Sequence, residues 1–155
     1  MNIDLKVYTN QYYNKICGAK LESVLETIKR GANHCRLEII TLLVSGEKDS
    51  FREFETISTF IHQLNPNILL HLSCYFPRYK LGNKTIEIEF LKQAQTLMKQ
   101  YLNYVYPGNV EGVDCNTYCL KCVSLLILRY RYRTSYHLIE EVCSQYKVSI
   151  PIKLK

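Results

Sequence analysis

Long apolar runs are missing from this sequence, and their absence restricts where the protein works. No stretch reaches the ~18 uncharged apolar residues that a membrane-spanning helix needs. The first residues also lack the basic run and apolar block of a secretory signal peptide, since Asp4 and Lys6 stand among them. We therefore expect a soluble, cytoplasmic protein without a membrane partner.

The missing secretory signal also bears on the cysteines. The chain has 7 cysteines, an odd number, so any disulfide scheme leaves one unpaired. In a chain without such a signal, cysteines are thiols or metal ligands more often than a disulfide framework. With 155 residues, 47% of them hydrophobic, the chain has the size and apolar content of one ordinary domain.

The positive charge is confined to the end of the chain. The net charge is +6, but residues 1–115 hold 13 Lys and Arg against 12 Asp and Glu, whereas residues 116–155 hold 7 against 2. A basic tail of this kind can contact nucleic acid, but the solvated side of a small ribbon explains it more simply. We therefore do not expect nucleic acid as the main partner.

Strands and helices alternate along the first two thirds of the chain. Apolar and β-branched runs predict strands at 3–7, 36–44, 68–72 and 104–106. Helices are predicted at about 11–31, from a Ser50–Glu53 capping box to residue 65, and from a cap at Thr85. This order predicts an α/β fold with a parallel sheet and right-handed crossovers, in which strand 36–44 is covered on both faces.

Polar residues near the carboxyl ends of these strands are candidate ligand-binding groups. Asp4 and Lys6, spaced by two, face the same side of the first strand, although a surface ion pair explains these two residues more simply when they are taken alone. A carboxylate inside the apolar second strand is costly unless it is paired, so Glu38 needs a cationic partner or a water-filled pocket. His71 ends the third strand beside Ser73 and is either a ligand-site residue or a structural histidine.

Four stretches carry a resemblance to one enzyme family. They are residues 1–6 (MNIDLK), 71–81 (HLSCYFPRYKL), 104–110 (YVYPGNV) and 116–122 (NTYCLKC). In that order they resemble the C-terminal half of radical S-adenosylmethionine (SAM) enzymes of the AmmeMemoRadiSam type, relatives of pyruvate formate-lyase activating enzymes. The resemblance implies that residues 1–111 form half of a βα barrel, with three of its six units. It implies that residues 112–155 form a degenerate, zinc-ribbon-like tail.

The resemblance further implies a split or truncated enzyme. In the family, a reduced [4Fe-4S] cluster splits SAM into a 5'-deoxyadenosyl radical, and the cluster loop follows the first barrel strand. The resemblance places that strand outside this chain. We therefore expect a chain that is inactive alone, with a separately encoded N-terminal half as its partner, or else a gene remnant. A half barrel exposes strand edges, so self-association is also expected.

The resemblance assigns a SAM site to residues of three strands: Asp4, Lys6, Glu38, Thr41, His71 and Ser73. Asp4 and Lys6 match an Asp-x-Lys element that helps hold the methionyl and ribose parts of SAM. Cys74 stands where the family usually has arginine. That difference removes a bidentate anchor for a carboxylate or phosphate.

The cysteines near the C-terminus allow two interpretations. Cys115, Cys119 and Cys122 have the C-x3-C-x2-C spacing of a radical SAM cluster. They follow the last predicted strand, however, where the resembling family carries half of a ribbon.

The ribbon interpretation predicts zinc ligands at Cys119, Cys122 and Cys143. Tyr146 stands where a fourth cysteine belongs, and Val123 stands where the first C-x2-C turn, or knuckle, usually has glycine. Cys115, His137 or water remain candidates for the fourth ligand, and a weakened or lost zinc site is at least as well supported as a working one.

A second class of function remains open. The chain is alternatively a stand-alone metal-knuckle protein that binds nucleic acid through its basic tail. Residues 129–133 (RYRYR) alternate basic and aromatic side chains, as in a strand that presents arginines on one face for stacking and phosphate contacts.

Overall fold

A computed structural model describes residues 1–44, 50–77, 85–131, 133–138, 141–147 and 149–150. The chain divides into two compact units, Met1–Val113 and Asp114–Lys155. The boundary predicted from the sequence lies just before residue 112. In the part of the chain so described, no helix is long and apolar enough to cross a membrane.

The first unit alternates strands with helices. Its strands are β1 (Asn2–Asp4), β2 (Glu38–Leu43), β3 (Leu69–Cys74) and β4 (Val105–Gly108). Its helices are α1 (Asn10–Tyr12), which continues as a π-helical turn (Tyr13–Cys17), then α2 (Leu21–His34), α3 (Phe51–Leu64) and α4 (Ile88–Met98). The strands pair in parallel in the order β1-β2-β3-β4, so the predicted α/β fold with a parallel sheet is confirmed.

All the long helices contribute to one core on one face of this sheet. The core joins buried residues of α2, α3 and α4 to alternate strand residues, namely Leu5, Ile39, Leu43, Leu70, Leu72, Cys74 and Val105. Strand residues of the opposite parity stay outside it. In β2, for example, Ile39, Thr41 and Leu43 are buried while Glu38, Ile40 and Leu42 are half-buried. The expectation that this strand is fully covered on both faces is therefore wrong.

Two helix predictions also need correction, one in its continuity and one in its start. The helix predicted from residue 11 is interrupted because Gly18 adopts a left-handed φ of 62° and ends the π-helical turn, so α2 begins only at Leu21. The last helix begins at Ile88 with Glu87 as its N-cap residue, which leaves Thr85 outside it.

The capping box predicted at α3 does not form. Ser50 is the N-cap residue, but its side chain makes no capping hydrogen bond. Glu53 instead accepts a hydrogen bond from the backbone N–H of Tyr8, with an N···O distance of 2.7 Å. The carboxylate thus joins the start of α3 to the segment after β1.

The second unit is a small antiparallel ribbon. Strands β5 (Thr117–Tyr118), β6 (Leu125–Tyr130) and β7 (Arg133–Tyr136) pair in sequence order. Its core consists of Leu126, Ile127, Ile150, Cys119 and Cys143. Among the described residues, two of these five buried core residues are cysteines. Their thiols therefore help to form the interior of the unit.

Candidate functional site

Five of the six residues predicted to bind SAM lie on one face of the four-stranded sheet. Side chains two residues apart along a strand share a face, and paired residues of parallel neighbours do the same. By this parity the face opposite the helical core carries Asp4, Glu38, His71 and Ser73, and Lys6, which follows β1, contacts Asp4 there. We call these five residues the polar face.

The polar face is organised in rows across the strands. One row runs from Asp4 through Ile40 and His71 to Tyr106, each paired in register with the next. The ring centroids of His71 and Tyr106 lie 5.9 Å apart. Tyr106 is almost fully buried, so it gives His71 an apolar wall on one side. Sequence reasoning missed this residue, although Tyr106 lies in one of the resembling stretches.

Glu38, the first residue of β2, and His71 form a side-chain pair on this face. His71 Nε2 lies 3.1 Å from Glu38 Oε2, and about a third of each side chain is exposed. His71 thus provides the partner that a carboxylate in an apolar strand requires. The prediction placed His71 at the end of its strand, but it is the third residue of β3 and lies well inside the sheet.

Asp4 and Lys6 form an ion pair with each other at the carboxyl end of β1. The two side chains are 43% and 36% exposed, so water screens the attraction and the pair contributes at most about 1 kcal/mol to stability. An ion pair of this kind is easily opened. The same two groups therefore remain accessible to a ligand that carries both charges.

Thr41 does not belong to the polar face. It lies three residues after Glu38, and an odd spacing in a strand reverses the face. Thr41 is buried on the side of the helical core and pairs with Leu72. The predicted place of Thr41 in the SAM site is therefore corrected. The spacing of three residues from Glu38 already indicates the opposite face.

Cys74, at the arginine position of the resembling family, also faces the helical core. Burial raises the pKa of its thiol to about 11, so it is neither a charged anchor nor a reactive thiolate. Asn109 fixes the backbone at this point: its side chain accepts from the Cys74 N–H and donates to the Cys74 carbonyl, both at 2.8 Å. Sequence reasoning missed this clamp between the ends of β3 and β4.

Three cysteines of the second unit converge on a point that fits a single metal ion. The sulfur atoms of Cys119, Cys122 and Cys143 all lie within 4.8 Å of one another, and those of Cys122 and Cys143 are 3.7 Å apart. Two sulfurs bound at ~2.3 Å to one tetrahedral zinc ion lie about 3.8 Å apart. This set, the cysteine triad, could therefore bind a metal.

The other candidate ligands lie outside the triad. The thiol of Cys115 is directed to the carbonyl of Arg129 at 3.8 Å. His137 is exposed and is not part of the triad. The structure thus does not gather Cys115, Cys119 and Cys122 as the alternative cluster set.

Two thiols of the triad, those of Cys122 and Cys143, differ in acidity. The hydroxyl of Ser124 and then its backbone N–H stabilise the thiolate of Cys122 and lower its pKa to about 7. The pKa of Cys143 is raised: the backbone N–H of Tyr146 favours its thiolate, but burial and the neighbouring sulfurs outweigh that effect. Cys122 therefore loses its proton before Cys143 and is the readier of these two residues to bind a cation.

The predicted arginine strand at 129–133 is interrupted by a hairpin turn. Arg129 ends up in β6, where it donates to the carbonyl of Cys115 and the hydroxyl of Thr117, and Arg133 begins β7. Arg131 lies in the turn above the ring of Tyr130, and Tyr132 lies outside the described residues. A single strand with its arginines on one face is therefore not formed, and that prediction is wrong.

Comparisons with known proteins identify the fold. No protein-family model matches the chain. An uncharacterized protein of Methanocaldococcus jannaschii is 39% identical over 135 residues, which are 84% of this chain but 40% of that protein. A solved domain of a pyruvate-formate lyase-activating enzyme from Bacteroides vulgatus matches with a TM-score of 0.60 and 21% identity, covering 70% of this chain and 66% of that one. The chain thus has the fold of an activating-enzyme domain and spans about two fifths of its archaeal relative.

Proposed function

We propose that this chain forms part of a SAM-binding barrel of the radical SAM, AmmeMemoRadiSam type, with the polar face on the inside. The observation that carries the proposal is the separation of the two faces of the sheet. The helices pack on one face, and five residues of the SAM-binding resemblance lie together on the other. The similarity of the fold to an activating-enzyme domain supports the same arrangement.

The polar face offers groups that suit SAM. The methionyl part of SAM carries an ammonium and a carboxylate, which complement Asp4 and Lys6 once their mutual ion pair opens. The Glu38–His71 pair offers hydrogen-bonding groups for ribose hydroxyls. When bound, SAM supplies the carbon that becomes a deoxyadenosyl radical in enzymes of this class. The role of these residues is to bind and orient it.

The described residues do not fit a [4Fe-4S] cluster. In such a cluster each thiolate binds a different iron atom, so the sulfurs stand farther apart than ligands that share one ion. The sulfurs of the cysteine triad, within 4.8 Å of one another, suit one ion. We therefore propose that the cluster ligands are supplied by residues outside those that the structure describes, with a second polypeptide as their source, and that this chain is inactive alone.

Binding of SAM tests the assignment of the polar face. Equilibrium dialysis with labelled SAM is performed on the chain alone and on the chain mixed with the segments of the archaeal relative outside the matched region. We expect binding in the mixture only. Lys6→Ala and His71→Ala should weaken it by about tenfold, or 1.4 kcal/mol. Thr41→Val is the matched control because Thr41 lies on the opposite face of the same sheet.

Two results contradict this proposal in different ways. An equal loss of SAM binding in Thr41→Val shows that the effect comes from the sheet as a whole and refutes the polar face as the site. Tight binding by the chain alone refutes the requirement for a second polypeptide and leaves the site in place.

We further propose that the cysteine triad holds one zinc ion. Thiolates are good zinc ligands, and the separation of two triad sulfurs is that of neighbours on a tetrahedral ion. After anaerobic loading, elemental analysis should give one zinc per chain, and Cys143→Ser should lower this content. Cys115→Ser is the matched control because Cys115 lies outside the triad. Equal loss of zinc in both variants contradicts the assignment.

A further inference from the structure

The cysteine triad is built on two turns with the same backbone geometry. In the first, Cys119 to Val123, the N–H of Val123 donates to the carbonyl of Cys119 at 2.9 Å, and Val123 has a φ of 58°. In the second, the N–H of Lys147 donates to the carbonyl of Cys143 at 2.8 Å, and Lys147 has a φ of 53°. Both turns are therefore complete metal knuckles in backbone conformation.

The two knuckles differ in the side chain at the last ligand position. Cys122 occupies it in the first knuckle and Tyr146 in the second. Tyr146 is 58% exposed, and a tyrosine hydroxyl is not among the usual zinc ligands, which are cysteine, histidine, aspartate and glutamate. Among the described residues, no histidine, aspartate, glutamate or further cysteine joins the triad. The triad thus supplies three ligands for a tetrahedral ion, and Tyr146 stands at the sequence position where a C-x2-C knuckle has its second cysteine.

We infer that a metal ion in the cysteine triad keeps an exchangeable fourth position open to solvent and binds an external thiol there. This inference rests on the proposal that the triad holds a metal. Zinc sites with three protein ligands and an open fourth position are the kind that accept water or a substrate, whereas structural sites are closed by four. The open corner is therefore a ligand-binding site.

The three sulfur donors favour a thiol as that ligand. A zinc ion that already carries three thiolates is a weak Lewis acid toward hard oxygen ligands and suits a soft sulfur donor. The incoming thiol loses its proton to solvent as its sulfur replaces bound water, so no oxidation or reduction takes place. A fourth thiolate adds negative charge to a segment, residues 116–155, whose sequence holds 7 Lys and Arg against 2 Asp and Glu.

Cobalt substitution tests this inference, because the visible spectrum of cobalt reports the number and type of its ligands. The full chain is reduced with a phosphine in thiol-free buffer and titrated with Co²⁺ and then with 2-mercaptoethanol. We expect one cobalt per chain, and a spectrum that shifts and saturates as the thiol is added. Tyr146→Phe, which keeps the ring and removes the hydroxyl, should behave in the same way.

The Tyr146→Cys variant closes the site and is the decisive comparison. It should bind cobalt at least about tenfold more tightly, and its spectrum should no longer respond to 2-mercaptoethanol. If both the unmodified chain and Tyr146→Cys fail to bind cobalt, the metal site itself is wrong. If both bind cobalt equally and neither responds to thiol, another protein ligand fills the fourth position and only the present inference is wrong. Loss of cobalt in Tyr146→Phe also overturns it, because the phenol would then be the ligand.

Discussion

Val123 is a residue whose backbone conformation conflicts with its side chain. A β-branched residue at a φ of 58° is a genuine outlier, and such positions cost on the order of 1–3 kcal/mol. The hydrogen bond that closes the knuckle nevertheless forms, so the surrounding ribbon stabilises the turn. Glycine adopts this conformation without steric cost.

We therefore predict that Val123→Gly stabilises the metal-free ribbon by about 1 kcal/mol, a gain reduced by the greater freedom of glycine in the unfolded chain. Urea unfolding followed by tyrosine fluorescence measures the change. Val113→Gly is the control, since Val113 belongs to the first unit and is not among the residues with positive φ. A destabilised Val123→Gly protein would show that the valine side chain contributes more by its contacts than it costs in strain.

Thiol reactivity should distinguish Cys122 from Cys74. The pKa of Cys122 is lowered to about 7 by Ser124, whereas that of Cys74 is raised to about 11 by burial. The thiolate fraction of each group grows as the pH rises through its own pKa. In metal-free protein, alkylation by iodoacetamide should therefore accelerate around pH 7 at Cys122 while Cys74 stays unmodified.

Peptide mapping by mass spectrometry after short exposures across a pH series measures both thiols. Ser124→Ala should shift the reactivity of Cys122 to higher pH, because the hydroxyl that stabilises the thiolate is gone. Modification of Cys74 at the same pH as Cys122 would mean that the native sheet does not protect it.

At the scale of elements, Glu53 is the residue that fixes the start of α3. Its carboxylate accepts the backbone N–H of Tyr8, 45 residues earlier, in a partly buried environment. Removing it leaves that N–H without this partner, which costs about 1–3 kcal/mol. We predict a loss of this size in Glu53→Ala by urea unfolding. Glu55→Ala, an exposed position on the same helix, should change stability by less than about 0.5 kcal/mol.

The alternation of strands and helices was predictable from the sequence because each element carries its own apolar period. The role of Glu53 was not, since the pattern Ser50-x-x-Glu53 equally suits a local capping box, and its partner Tyr8 lies far away in sequence. The hairpin within 129–133 was also not predictable from the sequence. Its turn includes Arg131 at a φ of 53° and contains neither glycine nor asparagine, the usual signals of such turns.

The candidate sites were also predictable from the sequence only in part. The cysteine triad follows from C-x2-C spacing and a third cysteine at the distance expected of a ribbon, because metal ligands recur at spacings that short turns impose. The prediction for Thr41 was wrong because side chains alternate between the two faces of a strand, and Thr41 lies an odd number of residues after Glu38. The Glu38–His71 contact joins residues 33 apart and depends on strand register, which the sequence did not give.

For the molecule as a whole, the sheet is open at both ends in the part of the chain that the structure describes. The order β1-β2-β3-β4 makes β1 and β4 edge strands, and unpaired edges are templates for further strands. We predict that the purified chain self-associates. Its weight-average mass in sedimentation equilibrium should then increase with protein concentration.

A paired variant locates the contact between copies. Ile40 and Leu42 are half-buried apolar residues of β2 on the side of the polar face. If copies associate through this face, replacing both by lysine should reduce association strongly, because burying the new charges without partners is costly. If they associate by pairing of strand edges, the double variant should associate as before, because backbone hydrogen bonds at β1 and β4 are unchanged. A monomer that unfolds in one sharp, reversible transition at every concentration would contradict both modes, and with them the expectation that this sheet requires a partner.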